Sequence, residues 1–326
     1  MKLGKAFELF VKRILVNIGF SEVKSDGLYV FDGAPGQMLQ GLGEAHNADV
    51  LLEPPVQTPF YSRTRLLIEC KDYSRRRIGL DIVRSVLAVR EDINHFDIVD
   101  INELIARRRQ NRKGILYDFE RFSYQVAIAS LTGFTEPAQK FAATYRIPLI
   151  EFDRLPFWDE FCIMLGYKQP GYMGKKSLRD ITFSARVTED DIVHLADKIG
   201  QRMAVALTNS GQMLFLYCNH NNRIEFDEFY SLYWSSPDRP WILRSGGLEY
   251  CFQLPKTIMK QWLENAENEL EMREEGINCK AKYFSNMIVY YVNHGRPIAK
   301  MISIDDYQLE DARNKLNQQK KKKGKR

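Results

Sequence analysis

With 326 residues, of which 44% are hydrophobic and 27% charged, the chain has an ordinary globular balance and enough length for a large core and two domains. No apolar run approaches the ~20 residues that a membrane span needs, and Met1-Lys2-Leu3-Gly4 leads into a charged amphipathic pattern, not a signal peptide. The formal charge of +5 belongs to the end of the chain: Lys320, Lys321, Lys322, Lys323, Lys325 and Arg326 contribute six positive charges, so the rest is nearly neutral.

Leu3, Phe7, Phe10, Val11, Ile14, Leu15 and Ile18 recur at helical spacing, with Gly19 where a helix stop is expected. Residues 21–48 carry Gly27, Gly33, Gly36, Gly41 and Gly43 and read as a strand start followed by a long irregular loop. The apolar runs Asp49–Leu52 and Arg65–Cys70, joined across Pro54, Pro55 and Pro59, read as a hairpin with an elaborated tip. Residues 78–93 are helical, with Ile82, Val83, Val86, Leu87 and Val89 as the apolar face, and a polar insertion fills 94–121. Tyr124–Ser130 reads as a buried strand. Thr135-Glu136-Pro137 starts a helix that turns Ala138, Phe141, Ala142 and Tyr145 inward, and Ile147–Ile150 is a further strand. This order predicts an α/β layered domain over 1–165.

One position in this order carries chemistry. Glu69 and Lys71, two apart at the end of a strand, share a face, and Asp49 brings a second carboxylate at the mouth of the neighbouring run. Two carboxylates and a lysine on adjacent strands are the parts of a divalent-metal site that cuts phosphodiesters. The carboxylates would bind magnesium, and the lysine would steady developing phosphate charge. An ion pair at a strand edge is the plain alternative for Glu69 and Lys71. Glu8, beside the apolar stripe of the first helix, has the alternative of an ordinary exposed carboxylate. Arg75, Arg76 and Arg77 follow closely, and Arg107, Arg108, Arg109, Arg112 and Lys113 form a second basic cluster. Both clusters suit either phosphate contact or a solvated face.

Several pieces, in order, carry a family resemblance: Gly4-Lys5-Ala6-Phe7-Glu8, Ala48-Asp49-Val50, Glu69-Cys70-Lys71, and Ala129-Ser130-Leu131-Thr132-Gly133-Phe134-Thr135 continuing through Ala138 and Ala142 to Ile147-Pro148-Leu149-Ile150. Over residues 3–155 the chain resembles the PD-(D/E)XK nuclease superfamily, in its Mrr-like restriction endonuclease branch. The resemblance implies a restriction-endonuclease-like mixed sheet flanked by helices, and a DNA endonuclease using Mg2+ or Mn2+. Asp49 and Glu69 would bind the metal, the Cys70 main-chain carbonyl would complete the coordination, Lys71 would orient or activate water, and Glu8 would reach the metal through water. A restriction or phage-defence role follows, with double-stranded DNA as partner and a homodimer or a defence-system protein as further partners. The same fold also serves single-strand, RNA and junction-processing nucleases, and inactive nucleic-acid binders.

The second half speaks less of function. Residues 166–178 read as a linker and 179–312 as an α+β domain for specificity, sensing or oligomerisation. Thr188 and Asp191 open a helix bearing Ile192, Leu195, Ala196 and Ile199. Met203–Leu207 and Met213–Cys218 flank Asn209-Ser210-Gly211 as a hairpin. Strands follow at Ile242–Leu243, Tyr250–Leu254, Met287–Val292 and Ile298–Ile304, around a helix over 256–275. Phe229, Tyr230, Tyr233, Trp234 and Trp241 suit either base stacking or core. Cys218-Asn219-His220-Asn221 reads as a polar turn, and His46, His95, His194 and His294 have no nucleophile partner. Residues 313–326 read as a flexible basic tail. Five scattered cysteines without a CxxC argue against disulfides and structural zinc, and for a reducing cytoplasm.

Overall fold

The apolar stripe at the start of the chain becomes α1 (Leu3–Asn17), which buries Ala6, Phe7, Phe10, Val11, Ile14 and Leu15. Gly19 ends it at φ +107°, a conformation side chains disfavour, and a Cβ there would stand 2.7 Å from Pro297 Cβ. The computed structural model describes residues 2–34, 36–57, 62–73, 76–96, 106, 121–165, 187–218, 224–233, 240–254 and 267–323.

A five-stranded sheet runs in the order β1-β5-β6-β7-β8. Its strands are β1 (Ser21–Glu22), β5 (Val50–Glu53), β6 (Arg63–Lys71), β7 (Phe122–Ser130) and β8 (Leu149–Glu151). β5 and β6 are the expected antiparallel hairpin, with Val50 opposite Ile68. β7 runs parallel to β6 and β8 parallel to β7. Parallel neighbours need crossovers, and α2 (Leu80–His95) and α3 (Glu136–Thr144) supply them. Strand alternation splits the burial. Val50, Leu52, Leu66 and Ile68 join the core around α1, whereas Leu51, Leu67, Val126 and Ile128 join the core under α2 and α3. Thr135 holds the N-cap position of α3, but its side chain makes no capping bond; its N–H donates to the Ile78 carbonyl at 2.9 Å. Tyr145, expected inward, is 44% exposed beyond the end of α3.

The glycine-rich stretch is not an irregular loop. It holds a three-stranded sheet of β2 (Val30–Gly33), β3 (Gly36–Gln40) and β4 (Ala45–Asn47). Asp92 of α2 pins it, accepting the Gly43 N–H at 2.8 Å and bonding His46 Nε2 at 2.7 Å. A Cβ on Gly41 would sit 2.0 Å from Asp92 Oδ2, so glycine here permits a close approach.

After a 3₁₀ turn at Phe152–Arg154, α4 (Trp158–Met164) completes an aromatic cluster on α1, with Phe10 and Phe161 ring centroids 4.4 Å apart. The expected linker lies outside the described residues. α5 (Glu189–Gly200) opens with the expected capping box, in which Asp191 N–H donates to Thr188 Oγ1 at 3.2 Å and Thr188 N–H to Asp191 Oδ2 at 2.9 Å. It packs so tightly on α1 that a Cβ on Gly200 would meet Asn17 Cβ at 2.4 Å. Asp197 Oδ1 accepts from Arg13 at 3.2 Å and from Asn17 at 2.8 Å. One core therefore runs from α1 into Ile192, Ala196, Met203, Phe215 and Tyr217.

Seven strands close into a barrel: β9 (Met203–Thr208), β10 (Met213–Cys218), β11 (Phe229–Tyr233), β12 (Trp241–Ser245), β13 (Leu248–Phe252), β14 (Asn286–Asn293) and β15 (Arg296–Ile304). Tyr230 and Trp241 are buried in its core, while Phe229 is 62% and Tyr233 40% exposed; Trp234 lies outside the described residues. Of the helix expected over 256–275, residues 256–266 lie outside the described residues; its end falls in α6 (Glu269–Tyr283), capped by the Asn268 side chain. The flexible tail is corrected too: α7 (Asp306–Lys323) carries it as helix through Lys323. Leu309 and Leu316, seven apart on one face, are each 6% exposed, and Lys320 pairs with Glu274 of α6 at 2.6 Å. The chain is thus mixed α/β. Among the described residues no helix is long and apolar enough to cross a membrane.

Candidate active site

Asp49 stands one residue before β5, where the register of Val50 opposite Ile68 carries it toward Glu69. Its side chain continues the ladder: Asp49 Oδ2 accepts the Cys70 N–H at 2.9 Å, and Oδ1 accepts from Asn47 Nδ2 at 3.0 Å. Lys71 Nζ donates to Glu69 Oε1, with the two side chains 24% and 26% exposed. The Lys71 carbonyl accepts the Leu131 N–H at 3.3 Å and so faces β7. Backbone groups alternate sides along a strand, which turns the Cys70 carbonyl toward Asp49. From α1, Glu8 is 18% exposed at its side chain and accepts from Lys5 Nζ at 2.6 Å.

These groups act on one another. Burial, then the negative charge of Asp49, raises the Glu69 carboxyl above its usual range against the opposing pull of Lys71. Burial also raises Glu8; Lys5 opposes the shift, and the charges of Asp49 and Asp72 add to it. Burial alone would lower Lys71, but its hydrogen bond to Glu69, with the charges of Glu69 and Asp49, carries it above the ordinary lysine value. The Cys70 thiol is pushed well up by burial and then by Asp49, Glu8 and Glu69, which leaves it a poor nucleophile. The strand-edge ion pair of Glu69 and Lys71 is made, within a wider cluster that includes Asp49 and Glu8.

Two carboxylates and a main-chain carbonyl are hard oxygen donors of the kind Mg2+ and Mn2+ prefer. Among the described residues no three His, Cys, Asp or Glu side chains form a group able to hold a metal ion. Any cation here would therefore rest on Asp49, Glu69 and the Cys70 carbonyl.

Arg76 and Arg77 are exposed, a few residues after Lys71. The Arg76 carbonyl accepts from Thr132 Oγ1 at 2.8 Å, and Ile78 N–H donates to the Gly133 carbonyl at 3.0 Å, which anchors this segment on the loop after β7. The Arg76 guanidinium lies 4.6 Å from the Tyr73 ring centroid. Arg75, Arg107, Arg108, Arg109, Arg112 and Lys113 lie outside the described residues.

Sequence reasoning passed over three neighbours of this site. Lys5 pairs with Glu8. Asp72 approaches α1 so closely that a Cβ on Gly4 would be 3.1 Å from its Oδ2. Tyr73 carries the Arg76 stack. Position was the available signal, since Lys5 lies within the first motif and Asp72 and Tyr73 directly follow Lys71. No family model matches the chain, and no curated protein or solved structure gives a significant match.

Proposed function

We propose that this chain is a metal-dependent endonuclease that hydrolyses DNA phosphodiester bonds, with a restriction-endonuclease-like sheet in residues 1–165. The observation that carries the reading is the hydrogen bond from the Cys70 N–H to Asp49 Oδ2 at 2.9 Å. It draws Asp49 to the strand that presents Glu69 and Lys71, so two carboxylates and an amine meet at one sheet end. The rise in the Glu69 carboxyl reflects burial and negative charge that a cation would offset.

Asp49, Glu69 and the Cys70 carbonyl would hold Mg2+ or Mn2+, which when bound neutralises phosphate charge and makes water more acidic. Lys71, protonated at neutral pH, orients the attacking water by hydrogen bonding and faces the charge that builds on the phosphate oxygens. Glu8 accepts a hydrogen bond from water at the rim, held in orientation by Lys5. Arg76 and Arg77 contact the phosphate backbone, which positions DNA without reading its bases. Arg75 and the cluster Arg107, Arg108, Arg109, Arg112 and Lys113 are proposed to do the same. Double-stranded DNA is the proposed partner, and restriction or phage defence the proposed setting.

Incubating the protein with duplex, single-stranded, methylated and unmethylated DNA and with RNA, with and without Mg2+, tests the reading. Mg2+-dependent cleavage of DNA that Asp49→Ala removes is the expected result. Failure to cut any of these in Mg2+ or Mn2+ would sink it.

A further inference from the structure

Away from the sheet, α6, α7 and Trp241 of β12 enclose a cleft of about 290 Å³. Trp241, Ile277 and Leu316 give it an apolar wall, and Arg273, Lys280 and Lys315 bring three cations to it. Two of these cations are already neutralised on their own helices. Arg273 donates to Glu269 at 2.7 Å, and Lys315 to Asp311 at 2.6 Å. Lys280 differs: its Nζ donates to the Leu232 carbonyl at 2.7 Å, and among the described residues it makes no ion pair with a carboxylate.

A half-buried ammonium without a counter-charge is costly, and one carbonyl uses only one of its three donors. Burial holds Lys280 below the ordinary lysine value. The volume suits a small molecule, at the lower end of ligand pockets.

We infer that the cleft between α6 and α7 binds a small organic anion with an apolar body, its acid group on Lys280 and its apolar part against Trp241 and Leu316. The anion supplies a counter-charge that no described residue gives Lys280, and the apolar wall favours a hydrocarbon or aromatic body over inorganic phosphate. A ligand joining α6 to α7 would brace the barrel flank far along the chain from Asp49, so this inference stands apart from the nuclease reading.

Titrating the full chain with the fluorescent aromatic sulfonate 8-anilinonaphthalene-1-sulfonate, with octanoate, octylammonium and inorganic phosphate as competitors, tests it. Saturable binding at one site per chain is expected, displaced by octanoate and by neither octylammonium nor phosphate. Lys280→Met should weaken anion binding roughly ten- to a hundredfold while leaving the neutral probe N-phenyl-1-naphthylamine bound. Ala312→Trp, which fills the cleft from α7, should remove both, and it carries the test if Lys280→Met fails to fold by circular dichroism. Absence of saturable binding, equal affinity in Lys280→Met, unchanged binding in Ala312→Trp, or displacement by octylammonium or phosphate would overturn the inference.

Discussion

The Asp49 carboxylate takes the place of a main-chain carbonyl at the end of the β5–β6 ladder, accepting the Cys70 N–H at 2.9 Å. A side chain in a backbone role is thereby fixed in direction as well as position. The bond also makes Asp49 the group whose charge acts on Glu69, Glu8, Lys71 and Cys70 alike.

Lys71→Ala should lower the cleavage rate by about 10²–10³-fold or more with little change in DNA binding, as expected for a group serving the transition state. Single-turnover cleavage and equilibrium binding of the same duplex separate the two effects. Wild-type rates in this variant would remove Lys71 from the chemistry.

The raised carboxyls of Glu69 and Glu8 give the site a signed pH dependence. The folded chain holds these protons more tightly than the unfolded chain, so this stabilisation is complete below the ordinary carboxylate range. It is lost as pH rises through the folded-state values. Mg2+ needs the ionised form, so the thermal midpoint should respond more to Mg2+ as pH rises across that window. Thermal melts at stepped pH, with and without Mg2+, check this. A Glu69→Gln chain should lose most of the Mg2+ response.

Arg76 and Arg77 are exposed and held on the loop after β7. Replacing both with Ala should flatten the slope of log affinity against log salt by about 0.9 for each phosphate that the two side chains neutralise. Anisotropy titrations across a salt series measure the slope. An unchanged slope would make these arginines plain surface.

At the other end of the chain, Leu316→Ala should cost roughly 2–5 kcal/mol, because the side chain is buried between α7 and the barrel. Among the described residues, deleting 320–326 removes the exposed pairing of Lys320 with Glu274, and it should barely move the melting point. A melt in which the short deletion is the more damaging change would reverse this account.

Periodicity made α1, α2, β6 and β7 legible, because each buries a regular stripe or a continuous apolar run. The site was legible in part: Asp49, Glu69 and Lys71 stand where strand spacing brings them, whereas Glu8 read as an ordinary helix carboxylate until the family resemblance implied a role for it. What escaped depended on distant partners. The sheet β2-β3-β4 looks irregular until Asp92, some fifty residues later, ties Gly43 and His46 to α2. β11 pairs in parallel with β15 across about seventy residues, and local pattern gives no sign of that closure. The end of α7 from residue 313 looked like a solvated tail because its one apolar residue there, Leu316, stands among Lys, Gln and Asn.

The seam between α1 and α5 has a consequence in time. During synthesis the helix carrying Glu8 emerges well before the surface that covers its Asn17 end, from Ile192 to Tyr217, which follows nearly two hundred residues later. Until then that flank stays wet, and pairings of such long sequence separation form late in folding. A nascent or truncated chain would carry every residue of the proposed site without the packing that holds Glu8 in place. On the nuclease reading proposed above, completion of the barrel half would then arm the site, and fragments released by proteolysis or early termination would leave DNA uncut.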